Sequence, residues 1–322
     1  MVKKKLKIGI LFGGKSAEHD VSLVSAKNVI GALDKNKYQI FSIKIDRNGK
    51  FDLKKFKNLD VIFPVLHGPF GEDGSMQGLL KLAGVPFIGP SVLGSAVSMD
   101  KDVMKRLFKE AGISIGKFVA VYAGEKISFK EISKKLGLPM FIKPANMGSS
   151  VGINKVYKKN EFKKAIKDAF DFDTKIIIEE FIDGREIECG ILGNEHPLAS
   201  VPGEIIANQE FYSYSAKYID DGYVIEIPAK ISDKTTKKIQ KLAVKVFEVL
   251  CCEGMGRVDF FLKKNGKVLV NEINTIPGFT NISMYPKLWE ASGLPVPKLL
   301  DKLIDLAVDR FKREQKLRTS VK

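Results

Sequence analysis

The stretch that most constrains the fold lies near the C-terminal end: Gly256-Arg257-Val258-Asp259-Phe260-Phe261-Leu262-Lys263-Lys264-Asn265-Gly266-Lys267-Val268-Leu269-Val270-Asn271-Glu272-Ile273-Asn274. Asn-Gly between two apolar runs is the strongest short-range hairpin signal, because both central positions of a tight primed turn need positive φ. With Asn265 and Gly266 as a two-residue turn, Lys264 pairs with Lys267, Asp259 stands opposite Glu272, and Arg257 stands opposite Asn274. Strand alternation sends those last four side chains to one face. Two opposed carboxylates repel. A divalent cation held by Asp259, Glu272 and the amide of Asn274, all hard oxygen ligands, turns that repulsion into a site. From the hairpin alone the alternative is a solvated face.

A chain of 322 residues has room for two or three compact units. Its 44% hydrophobic and 28% charged composition is that of an ordinary soluble protein. The net charge of +15 comes mostly from lysines spread along the chain, a solvated basic surface that concentrates anionic substrates. Without clustered arginines or an aromatic-basic motif, no nucleic-acid partner is expected. Leu6 to Phe12 is too short for an export signal, and no apolar run reaches transmembrane length. A cytoplasmic location without membrane insertion is expected. Cys189, Cys251 and Cys252 lack metal-type spacing and read as buried, reduced thiols.

Strand patterns at Lys7 to Phe12, Tyr38 to Ile45 and Asp60 to Val65, with a helical pattern from Ala17 to Leu33, predict a parallel sheet with right-handed crossovers. Ligands of such sheets sit beyond the C-terminal strand ends, which places the loops Gly13 to Asp20 and His67 to Ser75 on one edge. A second unit opens with a helix entered at Ser98-Met99-Asp100-Lys101 and running to about Glu110. It continues through a strand ending at Lys143-Pro144, the loop Ala145 to Gly152, and the strand Lys175 to Phe181. A third unit holds the hairpin and a final amphipathic helix, Val296 to Phe311.

Gly9 to Ser16 formally matches a P-loop, but Ile10-Leu11-Phe12 continue a strand where a phosphate cradle is required, so that reading is rejected. Glu18 stands close to the sheet edge, where a carboxylate can bind an ammonium group or simply favour the helix dipole. His67 lies in a glycine-rich loop on the same edge. Lys143 sits inside an apolar strand and needs an anionic partner. The Gly148-Ser149-Ser150-Val151-Gly152 loop after it offers backbone N–H groups and hydroxyls suited to triphosphate oxygens. Glu179 and Glu186 are placed to accept from a base amino group and ribose hydroxyls. The tyrosine-rich run Phe211 to Tyr218 reads as a lid.

Together with Gly-Gly-Lys-Ser-Ala-Glu-His at 13 to 19, His-Gly-Pro-Phe-Gly-Glu-Asp-Gly at 67 to 74, Met-Asp-Lys at 99 to 101, Tyr-Ser-Ala-Lys-Tyr at 214 to 218 and Asn-Thr-Ile-Pro-Gly-Phe-Thr at 274 to 280, these features resemble the D-alanine:D-alanine ligase family of the ATP-grasp superfamily. The resemblance spans essentially the whole chain. It implies an α/β fold: a Rossmann-like parallel sheet in residues 1–97, a central ATP-grasp subdomain in 98–182, and a C-terminal ATP-grasp subdomain in 183–322, with ATP held between the last two. By that resemblance Lys101, Lys143 and Lys217 hold ATP phosphates with Ser149 and Ser150 of the flap. Glu179 and the backbone of Phe181 and Ile182 take the adenine, and Glu186 takes the ribose. Asp259, Glu272 and Asn274 ligate two Mg2+ ions, for which Mn2+ can substitute.

The same resemblance places the ammonium of the first D-alanine on Glu18 and its carboxylate near His67. Glu18, Ser149 and Tyr218 form a hydrogen-bonded set joining the N-terminal loop, flap and lid. Arg257 and the N–H of Gly278 stabilise the tetrahedral oxyanion, and Ser283 takes the second substrate's carboxylate. Met284, where the family often has leucine, shapes the second subsite. The Lys217-Tyr218 pair resembles the dipeptide-forming type, which favours D-alanine at both subsites and a role in peptidoglycan precursor synthesis. A homodimer is expected. The competing readings are a D-alanine:D-lactate ligase and a non-catalytic ATP-binding protein of the same fold.

Overall fold

The computed structural model describes residues 4–207, 223–318 and 320–321. Its first sheet has three parallel strands, β1 (Leu6–Gly13), β2 (Tyr38–Ile45) and β3 (Val61–Val65), in the order β2-β1-β3. Helix α1 (His19–Ala32) connects β1 to β2, and α2 (Ser75–Leu82) and α3 (Val92–Met99) follow β3. Strand β1 runs through Gly9 to Gly13, so no phosphate cradle forms there. Gly13 has φ +96°, and a Cβ on it would lie 2.3 Å from the Ile45 carbonyl oxygen. Only glycine ends the strand in this way.

The second sheet is antiparallel, in the order β4-β7-β5-β6, from β4 (Phe118–Tyr122), β5 (Met140–Pro144), β6 (Asn154–Val156) and β7 (Lys175–Glu180). Helix α4 (Lys101–Glu110) leads into it, and α5 (Phe129–Leu136) and α6 (Lys159–Phe170) pack against it. The Asp100 carboxylate caps α4, accepting from the N–H groups of Asp102 and Val103 at 3.1 and 3.0 Å, which satisfies otherwise orphaned first-turn donors.

The third sheet runs β11-β10-β8-β12-β13, with β9 beside β8. Its strands are β8 (Arg185–Gly193), β9 (Leu198–Ala199), β10 (Gly203–Ala207), β11 (Tyr223–Glu226), β12 (Gly254–Leu262) and β13 (Val268–Asn274). Helix α7 (Asp233–Val249) covers it through Ile239, Ala243, Val246 and Phe247. Two more helices follow, α8 (Met284–Ala291) and α9 (Val296–Glu314). Helix α9 joins a different core: Leu299, Leu300, Leu303 and Ile304 pack with Ile8, Ile10, Val29, Val61 and Phe63 of the first sheet and its helix. The buried Arg310 clamps that junction, donating to the carbonyls of Gly89 at 2.6 Å and Phe87 at 2.8 Å. The end of the chain therefore completes the core that its beginning opened.

The hairpin departs from expectation at its turn. Lys263, not Lys264, pairs with Lys267: its N–H donates to the Lys267 carbonyl at 2.9 Å, and the Gly266 N–H donates to the Lys263 carbonyl at 2.8 Å. The loop is thus three residues long, with Gly266 at φ +77°, a common alternative to the two-residue turn. This offset sets Phe260 opposite Val270. A bulge at Asn271 then restores Asp259 opposite Glu272 and Arg257 opposite Asn274. Two departures cancel, and the expected pairing at the carboxylates stands. The cysteines also need a correction. Cys189 and Cys252 are buried, with burial pushing both thiols up to about 12, but Cys251 is exposed. The chain leaves α7 through a left-handed Cys251 at φ +52°, so only one of the adjacent pair reaches the interior.

Candidate active site

Two adjoining cavities open between the sheets. The larger, about 430 Å³, is lined by Lys101, Lys105, Phe141, Lys143, Ser149, Ser150, Glu179, Phe181, Ile182, Glu186, Asp259 and Glu272 among others. Strand alternation explains its charge. Phe141 faces Glu179 across the ladder, and Lys143 lies two residues further along the same face of β5. Glu179 receives Lys105 Nζ at 2.6 Å on one carboxylate oxygen and Lys143 Nζ on the other. Burial alone would raise this carboxyl, but the two ammonium groups outweigh it and hold the value at about 2. The anion that Lys143 needed is therefore supplied first by the protein itself. Burial works against the Lys143 charge too, yet Glu179 and Glu272 raise its pKa above the ordinary lysine value.

On the facing sheet, β8, β12 and β13 set Glu188, Asp259 and Glu272 side by side. Like charges so opposed are destabilising without cations among them. Arg257 supplies one: its Nε and Nη2 donate to the two Asp259 oxygens at 2.8 and 2.7 Å, and Nε stands 2.8 Å from Glu188 Oε2. Burial opposes the Arg257 charge, but Asp259 and Glu188 more than offset it and raise its pKa well above the ordinary value. Lys101 Nζ lies 3.6 Å from Glu272 Oε2 and donates to the Met147 carbonyl at 2.7 Å. The expected common face of Arg257, Asp259, Glu272 and Asn274 thus joins Glu188 in a row whose acids are partly neutralised by Arg257 and Lys101.

A hard divalent cation fits the remaining donors. The Asn274 Oδ1 is buried and has no hydrogen-bond partner among the described residues, a state that costs roughly 1–3 kcal/mol when nothing relieves it. No three His, Cys, Asp or Glu side chains among the described residues are grouped to hold a metal. The oxygens that could hold a hard divalent cation here are the carboxylates of Asp259, which Arg257 already engages, and Glu272, with the amide oxygen of Asn274, a donor set of the right hardness for magnesium.

The smaller cavity, about 140 Å³, is lined by Glu18, His67, Glu72, Ser149, Arg257, Gly278, Ser283 and Met284, and shares Lys101, Ser149, Glu188 and Glu272 with the larger one. Ser149 donates its hydroxyl proton to Glu18 Oε1, which closes the flap onto the N-terminal loop. The flap bends through positive φ at Ser149, +48°, and Ser150, +61°. His67 is buried, with Nδ1 3.0 Å from the Ile276 carbonyl oxygen and Nε2 3.4 Å from Ser25 Oγ. Burial lowers its pKa despite the nearby Glu18 carboxylate. Glu72 accepts from the N–H groups of Gly68 at 2.7 Å and Ile276 at 3.2 Å. Burial and the charge of Glu18 raise it to about 8. Ser283 accepts from the Thr280 N–H at 2.9 Å, and a Cβ on Gly278 would lie 2.8 Å from its Oγ, so glycine lets that backbone approach. Lys217, Tyr218 and the expected lid 211–218 lie outside the described residues.

Sequence reasoning missed Lys105, Glu188 and Glu72 as members of the site. Lys105 had a legible signal: it stands four residues after Lys101 on the buried face of α4, beside Met104 and Phe108. Glu188 shares the alternation of Glu186 along β8. For Glu72 the only signal was its place in the glycine-rich loop.

Antiparallel sheets enclosing a cavity where Lys101, Lys105 and Lys143 stand among carboxylates, beside a parallel sheet whose loops line a second, smaller cavity, make an α/β protein with room for a large charged ligand next to a small one. The chain matches the families described as D-ala D-ala ligase N-terminus, over residues 7–58 and 50–90, and D-ala D-ala ligase C-terminus, over residues 107–305. It is 49% identical to the D-alanine–D-alanine ligase of Oceanobacillus iheyensis, covering 98% of this chain and 99% of that one. It is 45% identical to D-alanine–D-alanine ligase A of Escherichia coli (strain K12), covering 99% and 100%. Among solved structures it resembles the D-alanine-D-alanine ligase from Coxiella burnetii, with TM-score 0.88, 40% identity and coverage of 98% and 97%. It also resembles the VanG D-Ala:D-Ser ligase from Enterococcus faecalis, with TM-score 0.85, 38% identity and coverage of 94% and 100%. A Bacillus anthracis D-alanine–D-alanine ligase complexed with ATP aligns with TM-score 0.84 and 32% identity over 96% and 99% of the two chains. The chain belongs to the D-alanine:D-alanine ligase family.

Proposed function

We propose that the chain is an ATP-dependent ligase that joins two D-alanines through a D-alanyl phosphate, supplying a peptidoglycan precursor. The observation that carries this reading is the shared wall: a nucleotide-sized cavity and an amino-acid-sized cavity meet at Lys101, Ser149, Glu188 and Glu272. A phosphoryl group held at that wall is reached from both sides.

ATP lies in the larger cavity with its base beside Phe181 and Ile182, its ribose at Glu186, and its phosphates at Lys101, Lys143 and the flap N–H groups. The first D-alanine lies in the smaller cavity with its ammonium on Glu18. Its carboxylate oxygen attacks the terminal phosphorus, the bond to ADP breaks, and D-alanyl phosphate forms. Asp259, Glu272 and Asn274 would hold magnesium, which when bound would supply positive charge against the phosphoryl oxygens. The unprotonated amine of the second D-alanine, its carboxylate on Ser283, then attacks the acyl carbon, and phosphate leaves. Arg257, its plane fixed by Asp259, and the Gly278 N–H meet the oxyanion, each such donor contributing about 3–4 kcal/mol. The neutral, buried His67 positions the first substrate without competing for its charge. Closure of the Ser149 flap on Glu18 keeps water from the acyl phosphate.

Beside Ser283, the wall proposed to face the second side chain is apolar. Ile205 and Met284 pack with Leu288, with Ile225 against them, and this suits a methyl side chain better than a hydroxymethyl one. D-Alanine is therefore proposed at both subsites, in a cytoplasmic homodimer. The test is ADP and dipeptide formation from Mg2+-ATP with D-alanine, L-alanine, and D-alanine paired with D-serine or D-lactate at neutral pH. Turnover is expected with D-alanine and not L-alanine. No ADP on adding D-alanine, or preferred use of D-serine or D-lactate as second substrate, overturns the assignment.

A further inference from the structure

The pairing that brings Asp259 and Glu272 together depends on a residue outside the hairpin. The three-residue loop by itself sets Phe260 opposite Val270. Continued without interruption, that register places Asn271 opposite Asp259 and sends Glu272 to the other face of the sheet, since a one-residue slip inverts every side chain. The bulge at Asn271 prevents this. A bulge leaves its backbone groups out of the regular ladder, and buried backbone groups need partners.

Lys105 supplies one. Its Nζ donates to the Asn271 carbonyl at 3.2 Å and stands 2.6 Å from Glu179 Oε1. The side chain is buried to 2% exposure, so the ammonium has no solvent to turn to. Because Glu179 belongs to β7 of the other sheet, the donor is fixed in space and meets the carbonyl at one position along β13. The adjacent Val270 N–H, held by the Ser114 carbonyl at 2.9 Å, fixes the strand on the turn side of the bulge.

We propose that Lys105 is a positioning residue for the cation end of the hairpin: it pins the bulge at Asn271, which keeps Glu272 opposite Asp259, and through Glu179 it ties that register to the nucleotide cavity. This rests on the reading of Asp259, Glu272 and Asn274 as cation ligands. Its test separates the two. Binding of Mn2+ in the presence of ADP is titrated by the electron paramagnetic resonance signal of the free ion, for wild type, Lys105→Met and Glu272→Gln.

Both variants are expected to weaken Mn2+ binding by about tenfold or more, Glu272→Gln because it removes a charged ligand and Lys105→Met because losing a residue that orients a ligand usually costs that much. Lys105→Met is also expected to speed amide exchange in residues 268 to 274, while leaving KM for D-alanine within about twofold of wild type. Lys105→Met binding Mn2+ like wild type while Glu272→Gln does not overturns the role of Lys105 alone. Unchanged binding in both overturns the cation reading and this proposal with it. If Lys105→Met does not accumulate as folded protein, Lys105→Gln, one bond shorter than lysine and so drawn back from Asn271, carries the same expectation.

Discussion

The larger and smaller cavities handle charge in opposite ways. In the larger, charges are matched side chain to side chain: Glu179 between Lys105 and Lys143, and Lys101 beside Glu272. In the smaller, the titratable groups are held chiefly by the backbone: His67 by the Ile276 carbonyl, Glu72 by the N–H groups of Gly68 and Ile276. Glu18, taken by the Ser149 hydroxyl, is the exception, and it ties the two together. The contrast suits the ligands proposed. A polyanion must be met by lysines kept charged and in place beforehand, whereas a small zwitterion needs one acid, one oriented donor and little else. Arg257 belongs to both arrangements, because it is bound to Asp259 on the cation side and lines the smaller cavity.

The sharpest way to break this division is Arg257→Ala. If Arg257 meets the oxyanion, turnover falls about 10²- to 10³-fold while KM for ATP stays within about threefold, measured by steady-state ADP release. A variant whose loss lies mainly in KM for ATP would assign Arg257 to the nucleotide side instead.

The next effect is on stability. The Glu179 carboxyl lies at about 2, below its ordinary 4.5, so the folded state favours its charged form. That contribution is present above pH 4.5 and is lost as the pH falls from 4.5 through 2. It amounts to on the order of 3 kcal/mol. Denaturant midpoints across this range are expected to show the advantage of wild type over Glu179→Gln shrinking as acid is added. An advantage constant with pH would mean that the two lysines do not depress this group.

The smallest of the three effects tests the backbone-held side. Glu18→Gln is expected to raise KM for D-alanine roughly 30-fold, near 2 kcal/mol for one charge-assisted contact, with KM for ATP little changed. Equal loss for both substrates would make Glu18 a flap latch through Ser149 rather than an ammonium site.

Much of this was legible in the chain. Period-2 alternation in residues 140–144 and 175–180 puts Lys143 and Glu179 on one cavity face, whereas the pairing of Asp259 with Glu272 needed the bulge at Asn271 as well as alternation. Strand β2 falls where its pattern predicts, Tyr38 to Ile45. The turn was not legible in detail, because Asn-Gly serves both two- and three-residue loops, and choosing between them depends on what the rest of β13 meets. The smaller cavity was legible only in part: the strand pattern put the Glu18 and His67 loops on one sheet edge, but that Ser149 and Ser283 converge on them from separate stretches of chain no local pattern encodes.

By itself the sequence determined the strands, the faces of their side chains and the motifs that mark the family, because backbone geometry and turn chemistry act over a few residues. Tertiary structure alone decided the partners. It put Lys143 on Glu179 rather than leaving it to a ligand, passed α9 to the core of the first sheet, and set Lys105 against Asn271 across 166 residues of chain. The reason is burial: a buried charge or carbonyl must find its complement wherever the packed elements happen to present one, and that meeting is a property of the assembled sheets.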